Sequence, residues 1–363
     1  MTTYSMVGDW RKTSTLQEFA LGLQEQMELS GYQYSSDPKE EIRIVLNFVD
    51  FENPRHYRRN GKGTFVVTIA ENHQPVESIL RTGYPILIRS LGNLMIYLDR
   101  SSGEQNTYFI TLEQGCYPVS TLKKEGQPFF QAVFERLRPL ATSQLVIDNT
   151  FYPDLPEELW NGDEITQSIY RAGKKLDEMN LLPTPFPMKE LLSPKEYRHV
   201  QKLYGIGGLS YGNLSARKEK NQFWMSASGV DKANLDVIGQ DILFIRNFDD
   251  KKPAMDISVP PHVQPKRASV DAIEHWMIYT EHPEVGAIVH IHAWMDGIPS
   301  TEINYPCGTV QLAEAVAEQI RQADDPARAV VGLKNHGLTI TGRDLDDIFE
   351  RIEGRIIPQV PMS

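Results

Sequence analysis

Gly286-Ala287-Ile288-Val289-His290-Ile291-His292-Ala293-Trp294 is the stretch whose reading decides the fold. A short apolar run of this kind reads as a buried strand. Successive side chains on a strand point to opposite faces, so His290 and His292 are expected on the same face, close enough to chelate one ion. Neutral imidazole is a common ligand for zinc and other first-row metals. A third histidine, His336, closes the apolar run Ala329-Val330-Val331-Gly332-Leu333-Lys334-Asn335-His336-Gly337. The plain alternative for any one of them is a hydrogen-bonded core histidine. An H-x-H pair with a strand-end His-Gly is a ligand pattern, and leaves coordination positions open for a substrate.

Upstream of this strand, Ser269-Val270-Asp271 leads a helix expected over Ala272 to Glu281. Before it come strands at Phe223 to Val230 and Asp241 to Arg246, and a helix from Ser193 to about Tyr204 with Pro194 at its first position. Gly205 to Arg217 is glycine-rich, and its backbone amides could approach an anion or simply form a turn. Downstream, a helix is expected from Val310 to Gln322 and a short last one beginning at Asp344 or Asp346.

The order of these motifs resembles the class II aldolase/adducin family from about Leu191 to Ile352. The resemblance rests on Gly212-Asn213-Leu214-Ser215, Ser226-Ala227-Ser228-Gly229, Ser269-Val270-Asp271, His290-Ile291-His292 and Asn335-His336-Gly337-Leu338. It implies an α/β fold, with an α/β/α layered C-terminal domain around a mainly antiparallel central sheet. It also implies that His290, His292 and His336 hold a divalent ion. Zinc is the first expectation, with manganese, cobalt or iron as alternatives. Asn213, Ser228, Gly229 and Ser269 would bind a substrate phosphate, and Asp271 would be the acid/base. Asp271 stands where the family usually carries Glu, and Val270 replaces the second serine of the usual pair. Tyr305 is the nearest counterpart of a catalytic tyrosine.

The N-terminal half lies outside the resemblance. Thr13 or Ser14 could cap a helix running to about Leu29. Strands are expected at Glu41 to Phe51, Thr64 to Ala70, Tyr84 to Ser90, Asn93 to Asp99 and Tyr108 to Leu112. Helical segments are expected at Pro75 to Leu80 and Pro128 to Leu137. Irregular alternation of this kind reads as an α+β domain. The basic loop Arg55 to Gly63 reads as a hairpin tip, and Cys116 as a buried thiol. Thr150 to Pro187 carries five prolines and a helix over Glu164 to Asn180 started by Asp163. These readings divide the chain into an N-terminal domain at 1–150, a proline-rich helical connector at 151–190 and an aldolase-like domain at 191–363.

The 363 residues carry a net charge of −11, with 40% hydrophobic and 23% charged residues. An acidic chain argues against nucleic acid and anionic membranes as partners. Cys116 and Cys307 alone cannot build a disulfide scaffold. With no signal peptide apparent in Met1 to Asp9, a cytoplasmic location is expected. The expected activity is that of a metal-dependent lyase (aldolase) or epimerase on a small sugar-like, phosphorylated hydroxy-carbonyl compound, working through an enediolate, with Asp271 moving the proton. Glu274, three residues on, is a reserve acid/base candidate. The alternatives are a non-haem iron oxygenase acting on a 2-oxo acid and a non-enzymatic, adducin-like interaction module. A small-molecule substrate and assembly into homo-oligomers complete the expectations.

Overall fold

The computed structural model describes residues 2–37, 42–59, 64–103, 106–119, 129–184, 186–204 and 210–362. The chain folds as two compact units, one formed by 1–142 with 185–206 and the other by 143–184 with 207–362.

The first unit begins with β1 (Thr3–Gly8), α1 (Ser14–Leu29), β2 (Gln33–Tyr34), β3 (Ile44–Phe48), β4 (Phe65–Asn72), α2 (Ile79–Arg89) and β5 (Leu94–Asp99). It continues through β6 (Asn106–Thr111), β7 (Gly115–Pro118) and α3 (Phe129–Thr142). The sheet order is β2-β1-β3-β4-β5-β6-β7. The first five strands of that order pair parallel, and β6 and β7 add antiparallel. Such an arrangement is α/β, not the expected α+β. Parallel neighbours need crossovers, and helices supply two of them, α1 between β1 and β2 and α2 between β4 and β5. The second crossover was hidden because Tyr84 to Ser90 reads as a strand. Tyr84 to Arg89 instead belong to α2, which Ser90 ends and whose N-terminus is capped by the Ser78 hydroxyl accepting from the Arg81 amide. A five-residue apolar run does not tell strand from buried helix by pattern alone. Thr13 caps α1 as expected, and its first turn carries no acidic residue. Glu71 of β4 supplies the missing negative charge there, accepting from the hydroxyls of Thr13 at 2.7 Å and of Thr15. Burial pushes the Cys116 thiol up to about 12, as suits an inert side chain. Asn60 to Gly63 of the basic loop, Gly205 to Leu209 and the expected helix start at Pro128 lie outside the described residues.

The chain then enters the second unit with β8 (Asp148–Tyr152) and α4 (Glu164–Glu178), and returns to the first with α5 (Met188–Leu191) and α6 (Pro194–Tyr204). The expected connector at 151–190 is therefore divided between the units. Its first part is built into the second: β8 pairs parallel with β12 (Ala254–Ser258), and Asp163 fixes α4 to the sheet. Asp163 caps α4 by accepting from the Thr166 amide, while its other oxygen accepts from Lys218 at 2.7 Å and from the Trp224 indole at 3.1 Å. Prolines alone do not make a linker when the residues between them carry caps and sheet partners.

The second unit also contains β9 (Asn213–Glu219), β10 (Gln222–Ser226), β11 (Ile242–Asp249), α7 (Ala272–Glu281), β13 (Ala287–Ile291), α8 (Val310–Arg321), β14 (Val330–Leu333), β15 (Gly337–Gly342) and α9 (Leu345–Ile352). Its eight strands run in the order β14-β15-β13-β9-β10-β11-β12-β8. Neighbours from β14 through β12 pair antiparallel and β8 joins parallel, so the sheet is mixed. The expectation of a mainly antiparallel sheet left out this parallel edge strand, which straddles the boundary drawn at 150/151 between the expected N-terminal domain and the connector. Helix α4 packs on β9 and β10, α9 packs on β13 and β15, and α7 packs on α8. Among the described residues no helix is long and apolar enough to cross a membrane.

Candidate metal centre

Three neighbouring strands set the site. His290 of β13 lies opposite Asn213 of β9 on one side and Thr339 of β15 on the other. Directly opposed residues in antiparallel pairs project to one face, so these three side chains form a row. Helix α7 covers that face. The Asn213 amide donates to Asp271 Oδ2 at 2.8 Å, and the Thr339 hydroxyl donates to Glu274 Oε1 at 2.5 Å. Two residues along β9, the Ser215 hydroxyl meets His275 Nδ1 at 2.7 Å and the Tyr279 hydroxyl at 2.8 Å. The match is geometric: four residues of helix rise about 6 Å and two residues of strand about 6.6 Å, so Asp271 and His275 keep step with Asn213 and Ser215.

The spacing of His290 and His292 works as the sequence implies, although His292 falls just beyond the end of β13. His336 sits in the tight turn between β14 and β15, behind Asn335, which adopts the left-handed conformation at φ 56°. The three rings converge with centroids 4.8–5.1 Å apart. One nitrogen from each lies within 4.8 Å of the others. His290 Nδ1 lies 3.0 Å from the Leu338 carbonyl, which can only accept, so Nδ1 carries the proton and Nε2 presents a lone pair. That Nε2 is buried and has no hydrogen-bond partner, as is His292 Nδ1, while His292 Nε2 lies 3.2 Å from His336 Nε2. Burial lowers the proton affinity of all three imidazoles, and the neighbouring rings lower His292 and His336 further. Neutral imidazoles with inward lone pairs, one oriented by a backbone carbonyl, fit a divalent ion.

Asp271 and Asn213 extend the same picture. Asp271 Oδ1 and Asn213 Oδ1 are buried acceptors without partners, beside the histidine cluster. Ser269 joins them, its hydroxyl accepting from the Asn213 amide at 3.1 Å. Ser228 and Gly229 follow β10 and lie alongside this segment, since Ala227 bridges Ala268 and the Ser228 amide donates to the Arg267 carbonyl at 2.9 Å. Among the described residues no hydrogen bond joins the Ser228 hydroxyl or the Tyr305 phenol to Asp271. Tyr305 instead packs against the apolar core. The Cys307 thiol, 3.2 Å from His336 Nδ1, is the neighbour from that loop that does reach the cluster.

The burial of two charged residues escaped the sequence reading. Lys232 is only 2% exposed, and its ammonium donates to the Ser210 carbonyl at 3.1 Å. Burial pulls its pKa down to about 8. Embedded in Asp231-Lys232-Ala233-Asn234, it reads as a solvated turn, and no sequence signal marks it. Glu274 was legible only as a reserve acid. Its burial had a signal: Ala272 to Tyr279 is apolar nearly all round, and a helix of that kind has no wet face.

Gly212 holds β9 against β13. It sits at φ +70°, and a Cβ there would lie 2.4 Å from the His290 carbonyl oxygen. Gly212→Ala is expected to cost about 1–3 kcal/mol of stability, read from urea unfolding, and to misalign His290. An unchanged midpoint would show that the strands can part without cost.

His275 adds a pH dependence. It is fully buried, and burial, with His290 nearby, pushes its pKa down to about 3. The unfolded imidazole titrates near 6.5. Below that pH the unfolded chain binds a proton that the folded chain does not, so stability falls as pH drops from about 6.5 toward 3, by about 1.4 kcal/mol per unit for this group. Unfolding midpoints are expected to fall between pH 7 and pH 5, and to fall less in His275→Gln. A wild-type profile that is flat over that range would refute the assignment.

Residues 195–295 and 295–354 match the profile described as the Class II Aldolase and Adducin N-terminal domain. The C-terminal half belongs to the class II aldolase and adducin family. A 3-oxo-tetronate 4-phosphate decarboxylase from Haemophilus influenzae is 24% identical over 194 residues, covering 47% of this chain and 84% of that protein. Among solved structures, an L-fuculose 1-phosphate aldolase is 20% identical and covers 53% of this chain and 81% of its own, with a TM-score of 0.36. The L-fuculose-1-phosphate aldolase from Thermus thermophilus is 17% identical, with coverages of 51% and 86% and a TM-score of 0.33.

Proposed function

We propose that the second unit is a divalent-metal-dependent lyase or epimerase acting on a small, phosphorylated hydroxy-carbonyl compound. The observation that carries this reading is the buried, unpartnered Nε2 of His290 facing His292 and His336, with the unpartnered Oδ1 of Asp271 close by. Buried acceptors without donors are costly, and a cation with a hydroxylated ligand would satisfy them together. His290, His292 and His336 would hold the ion, zinc before manganese, cobalt or iron. When bound, a divalent ion supplies Lewis acidity toward a carbonyl and its neighbouring hydroxyl.

The chain's own groups do the rest. Asp271 Oδ1 takes or returns a proton at the carbon next to the carbonyl, while Asn213 and Ser269 hold the other carboxylate oxygen and fix its direction. The Ser228-Gly229 turn would receive the phosphate, while Asn213 and Ser269, whose donors are engaged with each other and with Asp271, would border it. The decarboxylase named above acts on a phosphorylated oxo acid, and loss of carbon dioxide beside a carbonyl makes the same kind of carbanion as aldol cleavage. Phosphorylated 3-oxo acids therefore stand first among the compounds to try.

The test is metal analysis of protein purified without chelator, together with turnover of a panel of phosphorylated ketoses and 3-oxo acids. Stoichiometric zinc, manganese or cobalt with release of an aldehyde or carbon dioxide supports the reading. Oxygen uptake with bound iron would replace it by the oxygenase alternative. Neither metal nor turnover would leave a binding module.

A further inference from the structure

Helix α7 carries two buried carboxyls one turn apart, Asp271 at its start and Glu274 within it, and their surroundings differ. Asp271 receives the Asn213 amide at 2.8 Å and the Ser269 hydroxyl at 3.4 Å, and sits at the positive end of the helix. Glu274 is 2% exposed, and among the described residues its side chain is hydrogen-bonded by the Thr339 hydroxyl alone. Among the same residues no cation lies within ion-pair distance of it. Two carboxylates so placed do not both ionise in a buried site, and the proton goes to the one with fewer donors.

We propose that Glu274 is the proton-holding member of an acid–carboxylate pair, a positioning residue that keeps Asp271 as the single negative charge of the centre. The proposal rests on the reading of Asp271 as the group that moves the proton. Carboxyl pairs whose environments pull their proton affinities apart are how one site obtains both an acid and a base. Burial first, then the nearby Asp271 charge, raises the Glu274 pKa to about 8. On its own helix the nearby titratable groups are Asp271 and His275, and Arg321 of α8, the helix packed on α7, pairs with Glu281 and Glu318 instead. From β15 it receives only the uncharged Thr339 hydroxyl, and the Lys232 ammonium acts on Asp271. Below its midpoint Glu274 is neutral and adds no charge beside Asp271. Above it a second negative charge appears one helical turn away, and the pair behaves as one coupled unit. Replacement by glutamine freezes the pair in its neutral-pH arrangement, because the amide oxygen can still accept from Thr339.

The experiment is isotope-edited infrared spectroscopy of protein labelled at glutamate side chains, recorded from pH 6 to pH 10 for wild type, Glu274→Gln and Thr339→Val. A protonated-carboxyl band at pH 7 is expected in wild type, disappearing only as the pH is raised further. It should be missing in Glu274→Gln. In Thr339→Val it should persist to higher pH, because that hydroxyl stabilises the anion; this shift assigns the band even if the glutamine variant does not fold. No such band at pH 7, or one unaffected by either substitution, overturns the proposal. Cobalt loading of the same samples separates the two readings. Bound cobalt without the band removes Glu274 alone, and the band without cobalt uptake removes the metal centre alone.

Discussion

Replacing His292 with alanine is expected to weaken zinc binding by more than about 100-fold, since even residues that only support a metal ligand are worth about 10–100-fold. His292 is the ligand to test first because it is partly exposed and lies beyond the end of β13, so its truncation leaves the sheet intact. His290 is locked into the row with Asn213 and Thr339, and its loss would confound binding with folding. The remaining pair cannot compensate. His290 and His336 alone give two nitrogens, and three protein ligands plus an exchangeable position are the usual minimum for a catalytic zinc. The measurement is competitive zinc titration against a chelating dye, with circular dichroism to confirm the fold. Wild-type affinity in His292→Ala would mean that the convergence of the three rings is packing alone.

How much of this could be read from the residues depends on where the information sits. The H-x-H spacing is local, because a strand's two-residue period fixes it, and the ring distances agree with it. The arrival of His336 is not local. It depends on β15 pairing with β13, which no spacing along the chain encodes, and a family resemblance had to stand in for it. Capping residues were legible for the same local reason: Asp163 caps the helix it was assigned, and of the pairs Thr13/Ser14 and Asp344/Asp346 the first member of each is the cap. The misreadings are of two kinds. Tyr84 to Ser90 failed because a short apolar run fits a buried strand and a buried helix equally well, and only the parallel sheet around α2 decides. The boundary at 150/151 cuts through β8, because that strand's partner, β12, lies about a hundred residues away along the chain. Lys232 and Glu274 are the same problem at the level of single side chains. Charged residues are assumed wet until tertiary packing closes over them, and here it closes over both.

Asp271→Asn should lower the turnover of whichever panel compound reacts by about 10²–10⁴-fold, the range a positioned acid/base supplies. The substitution is nearly isosteric. The asparagine oxygen can still accept from Asn213 at the 2.8 Å contact, so the segment keeps its shape and metal content should not change. What is lost is a proton acceptor at Oδ1, the oxygen that has no partner within the protein. Asp271 is one methylene shorter than the glutamate the family usually carries, yet it needs no extra reach to meet Asn213 and Ser269, because the start of α7 is held close over the Asn213–His290 row. Glu274 is not expected to take over, since it is enclosed beneath Thr339 with its proton in place. The readout is kcat at saturating substrate with zinc content measured in parallel. A fall in kcat with unchanged metal places the proton transfer at Asp271. A rate within about threefold of wild type would move that role elsewhere, and Cys307 beside His336 would be the next side chain to replace.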